Sequence, residues 1–66
     1  MALWHCLDRL SGERFEVHGS DEDEIQSAVE AYIADGIDDD TGAVDYDVIA
    51  TAVDGSEYAF DGQVAR

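Results

Sequence analysis

The 66 residues carry 17 Asp and Glu against three Arg and no Lys, a formal charge of −14 at pH 7, with 45% apolar residues and no proline. That charge excludes direct binding to nucleic acid or to anionic membranes, both of which repel it, and the apolar fraction excludes a disordered chain. The chain is expected to form one folded domain over 1–66, of a size that buries only about 60% of the surface exposed when unfolded.

Residues 2–7 (ALWHCL) and 14–18 (RFEVH) are short, aromatic and β-favouring, and Asp8, Ser11 and Gly12 between them form turns readily. They predict a β-hairpin. In the second strand Phe15 and Val17 alternate with Arg14, Glu16 and His18, giving one apolar and one polar face. In the first, Leu3 and Leu7 compete with Trp4 and Cys6 for the core, and the register stays open.

Residues 20–36 predict the one helix. Ile25, Ala28, Val29, Tyr32 and Ile33 fall on one stripe of a 3.6-residue period. Ser20 is the expected N-cap, with Asp21, Glu22, Asp23 and Glu24 in the first turn, where the helix dipole favours negative charge. Gly36 is expected to end it as a left-handed residue. Asp23, Gln26, Ser27 and Glu30 point away from the stripe, so the solvent face carries acid and no base.

An acidic loop, 37–42 (IDDDTG), follows. Then 44–53 (VDYDVIATAV) and 57–64 (EYAFDGQV) flank Asp54, Gly55 and Ser56, a second hairpin signal. With a three-residue loop, Val44, Tyr46, Val48, Ala50 and Ala52 share a face with Tyr58, Phe60 and Val64, and Asp45, Asp47, Glu57 and Asp61 share the other. A four-residue loop puts Asp47 among the aromatics, so the odd loop is preferred. The fold expected is α+β, β-β-α-β-β, a four-stranded antiparallel sheet with one helix packed on one face. The open face would carry Glu16, Asp45, Asp47, Glu57 and Asp61, diluted only by Arg14.

Catalytic chemistry finds little support, and the chain is read as non-enzymatic, with no cofactor. His5 and Cys6 are adjacent in a strand, so their side chains point to opposite faces and form no pair. His18 stands alone at a strand end. The lone Cys6 forms no internal disulfide, compatible with a reducing compartment. Asp38, Asp39, Asp40, Thr41 and Gly42, with Asp45 and Asp47, approach a calcium loop. Counted from Asp38, however, the glycine falls at position 5 and Ile49 at position 12, so that pattern fails and no metal is expected. Residues 1–10 lack the basic and long apolar regions of a secretory signal, and no stretch reaches the ~18 apolar residues of a membrane span. A cytoplasmic location is expected.

The charge pattern itself remains. A compact chain of this length has a radius of gyration of roughly 11 Å, against a Debye length of about 8 Å at physiological salt, so the acids repel one another. Solubility alone does not require −14. Carboxylates held on rigid elements can imitate the phosphates of a duplex, which carries one charge per about 1.7 Å of axis. Such a display would engage the Arg and Lys of a nucleic-acid-binding protein. The candidate partner-binding residues are Asp21, Glu22, Asp23, Glu30, Asp38, Asp39, Asp40, Asp45 and Asp47.

In size and charge, with SDEDE, DDDTG and DYD as its acidic stretches, the chain resembles the small acidic phage-encoded inhibitors that act as DNA mimics, among them several anti-CRISPR proteins. The resemblance covers the whole chain and rests on no motif. It implies binding to a Cas subunit, the PAM-reading large subunit of a type I effector and specifically type I-C, in the cytoplasm of the host cell. Two other readings stand beside it. A haloarchaeal protein would also be acid-rich and lysine-free, its charge a salt adaptation. A small interaction module would add a strand to a partner through an exposed sheet edge.

Overall fold

The computed structural model describes residues 2–37 and 42–65. It has the expected architecture: β1 (Ala2–Asp8), β2 (Arg14–Gly19), α1 (Glu22–Asp35), β3 (Ala43–Ala52) and β4 (Glu57–Ala65). The strands form one antiparallel sheet in the order β2-β1-β3-β4. β1 and β3, the central pair, join the two hairpins, and α1 covers one face.

The open register of β1 resolves with Trp4 and Cys6 inward and Leu3 and Leu7 outward. Trp4 has the larger payload and its polar atom has somewhere to go. Its indole Nε1 donates to the Gly19 carbonyl at 3.2 Å, and its ring lies 5.2 Å from that of Tyr58. The core between sheet and helix gathers Trp4, Cys6, Val17, Ile25, Val29, Tyr46, Val48, Ala50, Phe60 and Val64. Ile37, just past the helix, is also buried.

The helix is entered through Asp21, one residue later than expected. Asp21 holds the extended conformation of an N-cap, and its carboxylate accepts the Glu24 backbone N–H at 2.9 Å. The Ser20 N–H instead donates to the Glu24 carboxylate at 2.7 Å, so side chains satisfy both donors. At the other end Gly36 is not left-handed. With φ −90° it stays on the helical side, its N–H donating to Ile33 O at 3.1 Å while the Ile37 N–H donates to Ala34 O at 3.2 Å. These tight final turns carry the chain directly to the buried Ile37.

The β3–β4 loop is odd, as parity requires, but it comprises Val53, Asp54 and Gly55, not 54–56. The Ala52 N–H donates to Ser56 O at 2.8 Å and the Gly55 N–H to Ala52 O at 3.0 Å, with Gly55 at φ 92°. A turn closed by a left-handed glycine is a common three-residue hairpin, and it fixes the register of the whole acidic face: Asp47 opposite Asp61, Val48 opposite Phe60, Ala50 opposite Tyr58.

Candidate acidic interface

The nine nominated carboxylates do not form one surface. Asp21 is engaged as the N-cap, while Glu22 and Asp23 stand exposed in the first turn of α1. Glu30, expected on the solvent face, is half-buried and accepts the Tyr46 hydroxyl at 3.0 Å. Asp38, Asp39 and Asp40 lie outside the described residues. Asp45 and Asp47 are on the open face of the sheet, across the molecule from α1. They also lie toward the opposite end, where β3 and β4 run on past the last β1–β3 pair, Asp8 with Val48.

What the fold does bring together is Asp45, Asp47 and Asp61. Asp47 and Asp61 are direct cross-strand partners, and Asp45 is the next outward residue of β3, opposite Gln63. The Gln63 amide donates to Asp45 at 3.2 Å. Alternate residues on a strand are about 6.8 Å apart and neighbouring strands about 4.8 Å, so the three carboxylates crowd one patch. Like charges directly opposite one another destabilise a sheet.

Arg9, from the β1–β2 turn, folds onto this patch and donates to Asp47 Oδ1 at 2.7 Å, while its own backbone N–H donates to Asp47 O at 2.8 Å. The Asp47 hydrogen bond and charge, with lesser contributions from Asp61 and Glu57, raise the guanidinium above its usual range. The open face thus carries a second cation beside Arg14.

Its centre is not acidic either. Leu7 and Ile49 sit there half-buried, and His5 Nδ1 lies 3.0 Å from Glu16. Apart from Glu16 on β2, the acids of this face lie on β3 and β4. Asp61 therefore belongs with Asp45 and Asp47 as a candidate contact, and the signal for it was the strand alternation that put all three on one face, which the register sharpens into direct opposition to Asp47.

Cys6 is buried on the face opposite His5, and burial pushes its thiol up to about 11. No described helix is long and apolar enough to cross a membrane. Family models, curated proteins and solved structures provide no match to the chain.

Proposed function

We propose that the chain is a non-enzymatic inhibitor that occupies a basic nucleic-acid-binding surface in place of DNA. The observation that carries this reading is the Asp47–Asp61 pair on the open face, with Asp45 beside it. Three carboxylates, one of them paired with Arg9, share one face of a hairpin. Like charges placed directly opposite one another on a sheet cost stability, so the stability of the fold does not account for this anionic patch. Its natural counterpart is a cluster of arginines and lysines, and Arg9 on Asp47 is an intramolecular sample of that contact.

The dimensions support the same reading. The molecule measures 39 × 20 × 16 Å. A duplex of that length carries roughly 23 phosphates, so a net charge of −14 reaches more than half the density of DNA on a rod of similar proportions. Steered association would follow from such a field. The partner suggested by the resemblance in size and charge is the PAM-reading subunit of a CRISPR–Cas effector, type I-C in its narrowest form.

The test is displacement of a labelled PAM-containing duplex from the purified subunit by the intact chain, in salt from about 0.05 to 0.3 M. Competitive release that weakens as salt rises is expected. A ternary complex that retains the duplex would contradict the proposal. Thermal melting followed by circular dichroism separates the haloarchaeal alternative: cooperative unfolding already at about 0.05 M salt supports the inhibitor, and a chain that folds only in molar salt supports salt adaptation.

A further inference from the structure

The open face of the sheet has a second feature beside the acids. One row across the strands runs Arg14, Leu7, Ile49, Ala59, each paired with the next, and the adjoining row runs Glu16, His5, Thr51, Glu57. Between them lies a concavity of about 600 Å³ lined by His5, Leu7, Arg14, Glu16, Ile49 and Thr51, together with Cys6 and Phe15. Leu7 and Ile49, both half-buried, give it an apolar base. The row on the other side of Leu7 and Ile49 contains Asp47 and Asp61, about one 6.8 Å step along the strands.

We propose that this concavity seats an aromatic side chain that the partner presents beside its arginines or lysines, so that the apolar group rests on Leu7 and Ile49 while the cations reach Asp47, Asp61 and Asp45. The inference rests on the proposed function and adds to it the means of selecting one basic surface among many. Charge complementarity chooses the occupant. A second copy of the chain brings another −14 and is repelled, whereas a basic segment is drawn to the neighbouring acids.

Arg14, at the rim, favours a flat ring on which its guanidinium can stack. A phosphate backbone offers no such apolar group. The contact therefore distinguishes the protein partner from anything that merely binds polyanions in reverse, and aromatic anchors beside Arg are the usual source of affinity in protein interfaces.

The experiment titrates the ¹⁵N-labelled full chain, at about 0.05 M salt, with two synthetic pentapeptides. One has four arginines around a central tryptophan, and the other has glycine at the centre. The tryptophan peptide is expected to bind about tenfold more tightly, with amide shifts at Leu7, Ile49 and Thr51 as well as at Asp47 and Asp61. Leu7→Ser and Ile49→Ser should each erase most of that tenfold difference while leaving affinity for the glycine peptide unchanged, with the amide dispersion of each variant's own spectrum reporting that it is folded.

Equal affinity for the two peptides, with shifts confined to the hairpin acids, overturns the apolar seat and leaves the acidic interface standing. Failure of both peptides to shift Asp45, Asp47 or Asp61 overturns the acidic interface as well. Shifts at Leu7 and Ile49 that depend on protein concentration without peptide would assign the concavity to a second copy and overturn the inference.

Discussion

Asp47 and Asp61 stand opposite each other on β3 and β4, both on the open face of the sheet, and Arg9 pairs with Asp47. The pairing leaves Asp61 with a like-charged neighbour and no described cation of its own. Asp61→Asn should therefore raise stability, by about 0.2–1 kcal/mol, while weakening the binding of a basic partner. Urea unfolding of the variant, with the midpoint displaced upward at unchanged slope, is the check. A lowered midpoint would mean that the opposed pair is not repulsive.

Arg9 competes with any partner arginine for Asp47, since its guanidinium already holds the carboxylate at 2.7 Å. Arg9→Ala should bind a basic partner severalfold more tightly and more steeply against salt, because it uncovers Asp47 and adds one unit of negative charge. The same variant should be less stable, since the repulsion between Asp47 and Asp61 loses its counterion. Calorimetric titration with a basic peptide, paired with a melting curve, separates the two effects.

The end of β2 meets the start of α1 with no spare room. A Cβ built on Gly19 would lie 2.9 Å from Ile25 Cγ1 and 3.1 Å from Ile25 N, and Ile25 itself is fully buried. Gly19→Ala should cost about 1–3 kcal/mol through overpacking, and Ile25→Ala about 2–4 kcal/mol through the cavity it leaves. For a domain this small, whose total stability is on the order of 3–10 kcal/mol, each kilocalorie moves the melting temperature by about 4–8 °C. Thermal melts that leave either variant unchanged would contradict the packing described at this junction.

Alkaline pH should unfold the chain through its core. The Cys6 thiol, raised by burial to about 11 from an ordinary 9.0, favours the folded state only while protonated. Its contribution is complete below about pH 9 and is lost as pH rises toward 11, about 2–3 kcal/mol in all. Tyr46 acts in the same direction above pH 10. Burial raises its hydroxyl chiefly, Gln26 offsets part of that, and the Glu30 carboxylate adds to it. Cys6→Ala should lose about 1 kcal/mol at neutral pH and show a shallower decline between pH 9 and 11. Equal alkaline slopes in the two proteins would show that the thiol does not contribute.

The fold was legible where a single period governed the pattern. Alternation in β2, β3 and β4 assigned their faces, the 3.6-residue stripe placed Ile25 and Val29 inward, and parity required an odd β3–β4 loop. β1 was not legible because Leu3, Trp4, Cys6 and Leu7 make both of its faces apolar. Its register depends on partners far along the chain, the Gly19 carbonyl and the Tyr58 ring. The same ambiguity concealed the Leu7–Ile49 base of the concavity. Ser20 and Asp21 are both good caps in isolation, and which one acts is decided by the side chain that reaches the Glu24 N–H. For the candidate interface, parity placed Asp45, Asp47, Glu57 and Asp61 on one open face, as the structure has them, but could not place the helix acids relative to that face. Glu30 is engaged by Tyr46, Glu22 and Asp23 lie across the molecule from Asp45 and Asp47, and the pairing register adds that Asp61 stands directly opposite Asp47.

Neutralising the hairpin acids and the helix acids separately decides whether the open face of the β3–β4 hairpin is the binding surface. In the duplex-displacement assay, a variant combining Asp45→Asn, Asp47→Asn and Asp61→Asn is compared with one combining Glu22→Gln and Asp23→Asn, both verified as folded by circular dichroism. The hairpin variant should lose at least about tenfold in inhibition, the equivalent of about 1.4 kcal/mol, and the helix variant should change by less than about threefold. Full inhibition by the hairpin variant, with loss on the helix side, would contradict the assignment to the hairpin face.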